Sequence, residues 1–141
     1  AGFMGSPQMN FFERCRLERA NDEYFLTLLG VRLPLLQETQ QQLLQNGIQS
    51  CEVTAGVRPE DVCLAAENDD YRIQADLDVS EMLGNEVLLH MRAGEENFII
   101  RIPESESGRL TQTNAAQIPL ELAVSRNKIH LFDAETKNNL V

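Results

Sequence analysis

The stretch YRIQADLDV (residues 71–79) alternates apolar and polar side chains along its whole length. Because successive side chains of a strand point to opposite faces, this alternation predicts a β-strand with its apolar odd-numbered positions on one buried face. The segments VLLHM (residues 87–91) and NFIIRI (residues 97–102) follow it, each separated from the last by a glycine-containing turn. Strands joined by such short turns predict an antiparallel sheet.

Further strand-like segments lie on both sides of this region. Residues 10–18, 24–29 and 51–55 precede it, and residues 118–124 and 128–132 follow it as an expected closing hairpin. The sum is about eight short strands at regular spacing, which is typical of a small closed barrel. We therefore predict a mostly β fold, an OB-like antiparallel β-barrel.

One segment has the periodicity of a helix instead. Leucines at positions 35, 36, 43 and 44 recur at helical spacing around the glutamine-rich residues 37–45. Pro34 suits the first helical turn, and Gly47 suits the end of the helix. The sequence predicts one short helix here.

Composition limits the classes of partner and of chemistry. A length of 141 residues predicts a single domain over residues 1–141. The net charge of −10 disfavours binding to nucleic acid or to an anionic membrane surface. The cysteines, Cys15, Cys51 and Cys63, are odd in number and widely spaced, which favours reduced thiols in the cytosol. A metal site made of Cys51, Cys63, His90 and His130 lacks the usual ligand spacing.

Catalytic motifs are absent from the sequence. It contains no phosphate-binding loop, no nucleophile elbow and no zinc-protease helix motif. The histidines lie in apolar strands, where an outward or neighbour-bonded histidine is the common arrangement. Paired carboxylates such as Glu104 and Glu106 lie in polar loops. We predict no catalytic, cofactor-binding or metal-binding residue.

Four motifs occur in a recognisable order: GFMGSPQMNF (2–11), GVRPED (56–61), EMLGNE (81–86) and IHLFD (129–133). This order is similar to that of the C-terminal regulatory domain, a TOBE or OB-like domain, of ATP-binding subunits in carbohydrate ABC importers of the maltose and multiple-sugar type. The resemblance covers the chain from end to end. It implies a fragment that lacks the nucleotide-binding domain, so that ATP and Mg²⁺ would bind in the parent subunit and not in this chain.

The resemblance also implies partners. The parent subunit is expected to pair with itself, to dock on membrane permease subunits at the cytoplasmic face, and to couple this domain to its nucleotide-binding domain. Some members also receive a phosphotransferase-system enzyme IIA protein or a transcription regulator. Carried over by motif, the regulatory positions are Gly56, Arg58, Glu60, Glu81 and Gly84.

Other functions remain open from the residues alone. A stand-alone OB-like domain that binds a small oxyanion is the main alternative, although 12 Lys and Arg against 22 Asp and Glu weigh against it. A nucleic-acid-binding OB domain would need stacking aromatics on a basic groove. A small enzyme would need a nucleophile with a base, or a metal-ligand set.

Overall fold

The computed structural model describes residues 7–111 and 118–141. The described chain consists mainly of β-strands, with two helices and three 3₁₀ turns. The elements are β1 (Asn10–Ala20), β2 (Glu23–Leu28), β3 (Val31–Pro34), α1 (Gln37–Gln45), β4 (Cys51–Val57), β5 (Val62–Leu64), β6 (Ile73–Met82), β7 (Glu86–Ala93), β8 (Glu96–Pro103), α2 (Glu104–Ser107), β9 (Ile118–Val124) and β10 (His130–Asp133). The 3₁₀ turns are Pro59–Asp61, Gly108–Thr111 and Arg126–Lys128.

The chain divides into two compact units. The first unit comprises Phe11–Val57 and Ser125–Val141, and the second comprises Arg58–Val124 together with the residues leading to Asn10. The first unit holds a five-stranded sheet in the order β10-β4-β1-β2-β3, and the second a five-stranded sheet in the order β5-β9-β6-β7-β8. Each unit is described separately below.

The core of the first unit forms from rows of apolar side chains across its sheet. Leu17, Leu26 and Leu33 lie opposite one another on β1, β2 and β3 and are buried. Leu131 on β10 faces Ala55 on β4 in the same way. Along β2 the buried residues Tyr24, Leu26 and Leu28 fall two residues apart. The period-two pattern of the sequence therefore places one face of this strand in the core.

Helix α1 lies where the leucine spacing predicts it, but Pro34 does not open it. Pro34 ends β3 opposite Phe25, and its carbonyl accepts a hydrogen bond from Arg126 Nη1 at 2.7 Å. The glutamine tract contributes one structural contact of note. The Gln40 amide accepts from the backbone N–H of Tyr24 at 3.2 Å and donates to the carbonyl of Leu35 at 2.6 Å.

The sheet of the second unit contains the strands predicted over residues 73–102. On β6 the residues Ile73, Ala75 and Leu77 are buried, as the alternation predicts. The edge strands β5 and β8 approach each other, which makes this sheet a nearly closed barrel. The mostly β, OB-like class predicted from the sequence is confirmed.

Two details of the expected β6 strand are different. The strand begins at Ile73, so Tyr71 precedes it. A β-bulge lies between Leu77 and Val79 and shifts the register against β7. Because one extra residue reverses the facing of every later side chain, Val79 is exposed although its place in the alternation predicts burial.

The expected closing hairpin of residues 118–132 does not form. β9 pairs with β5 along one side and with β6 along the other, so both of its edges are already occupied. β10 therefore pairs with β4, in the other sheet, after the 3₁₀ turn at Arg126–Lys128. Residues 104–107, expected as a polar loop, form the short helix α2, in which the Ser107 hydroxyl donates to the Glu104 carbonyl at 2.7 Å.

Among residues 7–111 and 118–141, no helix has both the length and the apolar character needed to cross a bilayer.

Candidate interaction site

The β6–β7 hairpin carries the predicted regulatory residues Glu81 and Gly84. Glu81 is half-buried on β6, and His90 on β7 donates a hydrogen bond from Nε2 to Glu81 Oε1. The antiparallel register makes this contact possible, because it places Val79 opposite His90 and Glu81 opposite Leu88. His90 is thus bonded to a neighbouring side chain, the arrangement that its apolar strand predicts.

The turn of this hairpin depends on a glycine. The backbone N–H of Leu83 donates to the Glu86 carbonyl at 2.8 Å, and Gly84 between them has a φ of +82°. Side chains with a Cβ are strained in this left-handed region, so the motif needs glycine there.

Exposed apolar side chains flank Glu81 along the chain. Of the five large apolar side chains exposed in the described chain, three lie within residues 79–83. Their exposed fractions are 56% for Val79, 54% for Met82 and 43% for Leu83. We call these three residues with Glu81 the hairpin surface. Sequence reasoning missed it because the bulge that exposes Val79 leaves no signal in the alternation.

Carboxylates border the hairpin surface. Asp78 precedes Val79 and receives a hydrogen bond from Arg92 Nη2 at 3.3 Å. Glu86 and Glu104 are both exposed, and the backbone N–H of Glu104 donates to the Asn85 carbonyl of the turn at 2.8 Å. The surface is therefore apolar at its centre and acidic at its edge.

Glu60 lies on the same side of this sheet. It belongs to the 3₁₀ turn Pro59–Asp61, which begins after the exposed Arg58, and its Oε1 lies 4.0 Å from Arg101 Nη1 on β8. Arg101 is opposite Leu88, which is in turn opposite Glu81. Arg101, Leu88 and Glu81 thus form one row across β8, β7 and β6. Glu81 is at one end of this row, and Glu60 lies beside Arg101 at the other end.

Gly56, the remaining predicted residue, lies in the first unit on β4. It is buried and opposite His130 of β10, while Thr54 is opposite Phe132. The ring of Phe11 packs on Phe132 with 6.2 Å between centroids, and Phe11 is 59% exposed. We call the set Phe11, Thr54, Gly56, His130 and Phe132 the aromatic face; Phe11 is its exposed member, His130 and Phe132 are half-buried, and Thr54 and Gly56 are buried.

The cysteine thiols are held in their protonated form. Partial burial, followed by the charge of Asp133, raises the pKa of Cys51 above its ordinary value of 9.0. Partial burial, followed by the charges of Asp69 and Glu106, raises the pKa of Cys63 in the same way. Since the thiolate is the nucleophilic form, neither position is suited to covalent chemistry.

Asp133 has the opposite shift. Backbone N–H groups of Thr136 and Glu135 each donate to its Oδ1 at 2.9 Å and lower its pKa below the ordinary 3.8. It lines an acidic surface pocket with Cys51 and Glu52. Within the described ranges, no three His, Cys, Asp or Glu side chains converge as a metal-ligand set.

Comparison with known families gives two matches. Residues 5–62 match the MalK OB fold domain, and residues 55–132 match the TOBE domain. Together the two matches span both units and all five predicted regulatory positions.

Curated relatives match along nearly the whole chain. The uncharacterized ABC transporter ATP-binding protein YurJ of Bacillus subtilis is 34% identical over 97% of this chain and 36% of its own length. The multiple sugar-binding transport ATP-binding protein MsmK of Streptococcus mutans is 30% identical over 97% of this chain and 35% of its own length. The sn-glycerol-3-phosphate import ATP-binding protein UgpC of Escherichia coli is 31% identical over 96% and 34%. The chain thus spans about a third of the length of these relatives.

A solved structure shares the fold. The cytoplasmic molybdate-binding protein ModG superposes with a TM-score of 0.60 over 91% of this chain and 96% of its own, at 11% sequence identity. At that identity the likeness concerns the fold alone.

Proposed function

Because the chain belongs to the TOBE-domain family, in the form carried by ATP-binding subunits of sugar ABC importers, we propose that it is the regulatory and dimerisation domain of such a subunit. The observation that carries this proposal is that large apolar side chains are exposed at two places, Phe11 on the aromatic face and Val79, Met82 and Leu83 on the hairpin surface. The aromatic face suits a second copy of the chain, and the hairpin surface suits a regulator.

An exposed ion pair in the sheet that carries the aromatic face favours self-association. Arg32 lies 3.7 Å from Glu18 and stacks over the ring of Phe25 at 3.8 Å from the centroid. A two-fold interface brings the same patch of both copies together, so a patch of one sign would repel itself. A patch with both signs around exposed aromatic rings avoids that repulsion and buries apolar area.

The hairpin surface is suited to a different partner. Two copies meeting there would bring Asp78, Glu86 and Glu104 of each chain towards the same carboxylates of the other. Like charges at an interface are unfavourable, whereas a partner with an apolar centre and a basic edge would be attracted. A regulator protein, such as an enzyme IIA or a transcription regulator, is the class that we propose for this surface.

The physical role follows from joining two ATPase domains. If paired regulatory domains hold the parent subunits together, re-closure of the nucleotide-binding domains on ATP and Mg²⁺ is intramolecular, at an effective concentration on the order of millimolar. A bound regulator then shifts the open–closed equilibrium only by its differential affinity, typically about 1–3 kcal/mol. In this proposal the parent subunit hydrolyses ATP, docks on the permease subunits and lies at the cytoplasmic face of the membrane.

Sedimentation velocity of the isolated chain tests the dimerisation. We expect a concentration-dependent shift from monomer to dimer across the micromolar range. A chain that stays monomeric at several hundred micromolar would exclude the dimerisation role.

Titration with an oxyanion separates this proposal from the alternative of a stand-alone binding domain. A ligand that binds only the native state raises the melting temperature, by a stability increment that grows with the ratio of ligand concentration to Kd. We expect no change with molybdate or sulfate at millimolar concentration. A dose-dependent rise would favour the oxyanion-binding function.

A further inference from the structure

Asn10 makes an unusual contact at the start of β1. Its side chain is buried, with only 7% exposed, and both ends of its amide bond the backbone of Ile99 on β8. Nδ2 donates to the Ile99 carbonyl at 2.8 Å, and the Ile99 N–H donates to Oδ1 at 3.0 Å. A carboxamide has the same donor and acceptor as a peptide group, so Asn10 acts on β8 as one residue of a neighbouring strand would.

This contact protects an edge. β8 is the last strand of its sheet, and unpaired backbone groups on an edge are costly when buried and prone to pairing with other chains. Because Ile99 turns its N–H and C=O towards Asn10, it forms a non-hydrogen-bonded pair with His90 of β7. Side chains are closest in such pairs, so a displacement of the His90 side chain is expected to affect the packing of Ile99.

His90 continues the connection to the hairpin surface. It lies opposite Val79 and donates its hydrogen bond to Glu81, the acidic residue of that surface. Two hydrogen-bonded contacts, Asn10 with Ile99 and His90 with Glu81, are therefore joined by the cross-strand pair of Ile99 and His90. At one end is the segment that leads into β1, and at the other is the surface to which we assign the regulator.

We propose that this series of four residues, the Asn10–Glu81 row, couples occupancy of the hairpin surface to the polypeptide segment preceding β1. The inference rests on the proposed function and on the family resemblance, which implies that the nucleotide-binding domain precedes this domain in the parent subunit. A partner that moves Glu81 displaces the His90 ring, alters its packing on Ile99, and loosens or tightens the hold of Asn10. In this proposal Asn10 is a positioning residue, and release of its amide from Ile99 supplies the second arrangement that such coupling requires.

Hydrogen exchange of the Ile99 amide in the isolated chain, followed by ¹H–¹⁵N NMR, tests the row without any partner. Glu81→Ala removes the acceptor of His90 and is expected to change the Ile99 exchange rate by about threefold or more. Asp78→Ala is the matched control. It removes a carboxylate from the same strand, but its partner Arg92 lies opposite Asn97, outside the row, so the Ile99 rate should stay within about twofold of wild type.

Asn10→Ala calibrates the measurement, because it removes the acceptor of the Ile99 N–H and should speed its exchange about tenfold or more. If this variant fails to fold, Asn10→Asp keeps the acceptor oxygen, loses the donor, and should give a smaller increase. The proposal is overturned if Glu81→Ala leaves the exchange rate of the Ile99 amide unchanged, or if Asp78→Ala changes that rate by as much as Glu81→Ala does. No regulator takes part, and all variants are compared at one protein concentration, so a failure of this test is distinguishable from a failure of the dimerisation proposal.

Discussion

Replacing Phe11 with alanine is expected to weaken self-association about a hundredfold. Phe11 exposes 59% of its surface, which is about 120 Å² of a phenylalanine's roughly 200 Å². A two-fold interface contains two copies, so about 240 Å² becomes available for burial, worth at most about 6 kcal/mol. If half of that value is realised after the costs of association, the loss is about 3 kcal/mol, or about two orders of magnitude in Kd.

The assay is sedimentation equilibrium of wild type and variant over the same concentrations, with circular dichroism to confirm that both are folded. Val79→Ala is the matched control, because Val79 is 56% exposed but lies on the hairpin surface. We expect its dimer constant to match that of wild type. If Val79→Ala weakens the dimer and Phe11→Ala does not, the copies pair through the hairpin and our assignment of the two surfaces is wrong.

Four further predictions concern single residues. Gly84→Ala should destabilise the chain by about 1 kcal/mol, a few degrees in Tm, because alanine is strained at a φ of +82°. Tyr24→Phe should lower the free energy of unfolding by about 1–2 kcal/mol in a denaturant titration, because it removes the hydrogen bond from the buried hydroxyl to the Ile48 carbonyl at 2.5 Å. Because the pKa of Asp133 is lower in the folded state, its ionised carboxylate stabilises the fold above pH 3.8. This contribution is lost as the pH falls through the folded-state pKa, so Asp133→Asn should flatten the profile of stability against pH below 3.8. Cys63, despite its exposure, should react with iodoacetamide at pH 8 more slowly than free cysteine, because its pKa is raised.

Each of these has a distinct contrary result. An unchanged Tm for Gly84→Ala would mean that the turn rearranges without strain. Equal stability of Tyr24→Phe would mean that solvent satisfies the Ile48 carbonyl. A steeper acid limb in Asp133→Asn would contradict the direction of that pKa shift, and rapid alkylation of Cys63 would contradict the raised pKa of its thiol.

The sequence predicts the strands of this protein better than their pairing. Alternation identifies β6 from Ile73 to Leu77 because burial on one face is a local, repeated requirement. The pairing of β9 depends on the edges of β5 and β6, which lie far away in the chain, so no local pattern could exclude a hairpin between residues 118–124 and 128–132. Which strands pair is therefore decided by which strand edges are already occupied by distant parts of the chain.

The candidate surfaces show the same limit. The motif at residues 81–86 predicts the turn and the place of Glu81, because a left-handed residue needs glycine. The exposure of Val79 depends on a one-residue bulge, and bulges have no sequence pattern that differs from ordinary alternation. The Asn10–Ile99 contact joins residues 89 positions apart, so it is visible only when the edge of β8 has been located.

Some positions in the motifs of the family resemblance make specific side-chain contacts, while others, such as Val57 and Leu131, are buried in the core. The first contains Asn10, which holds the edge of β8, and Phe11, which begins the aromatic face. The last contains Phe132, and the third contains Glu81, which accepts from His90. Core packing accepts many aliphatic side chains of similar volume, but a carboxamide that must pair with a strand edge, or a ring that must cover a sheet face, restricts the residue type. The residue types at these positions are therefore set by specific side-chain contacts and not by core volume alone.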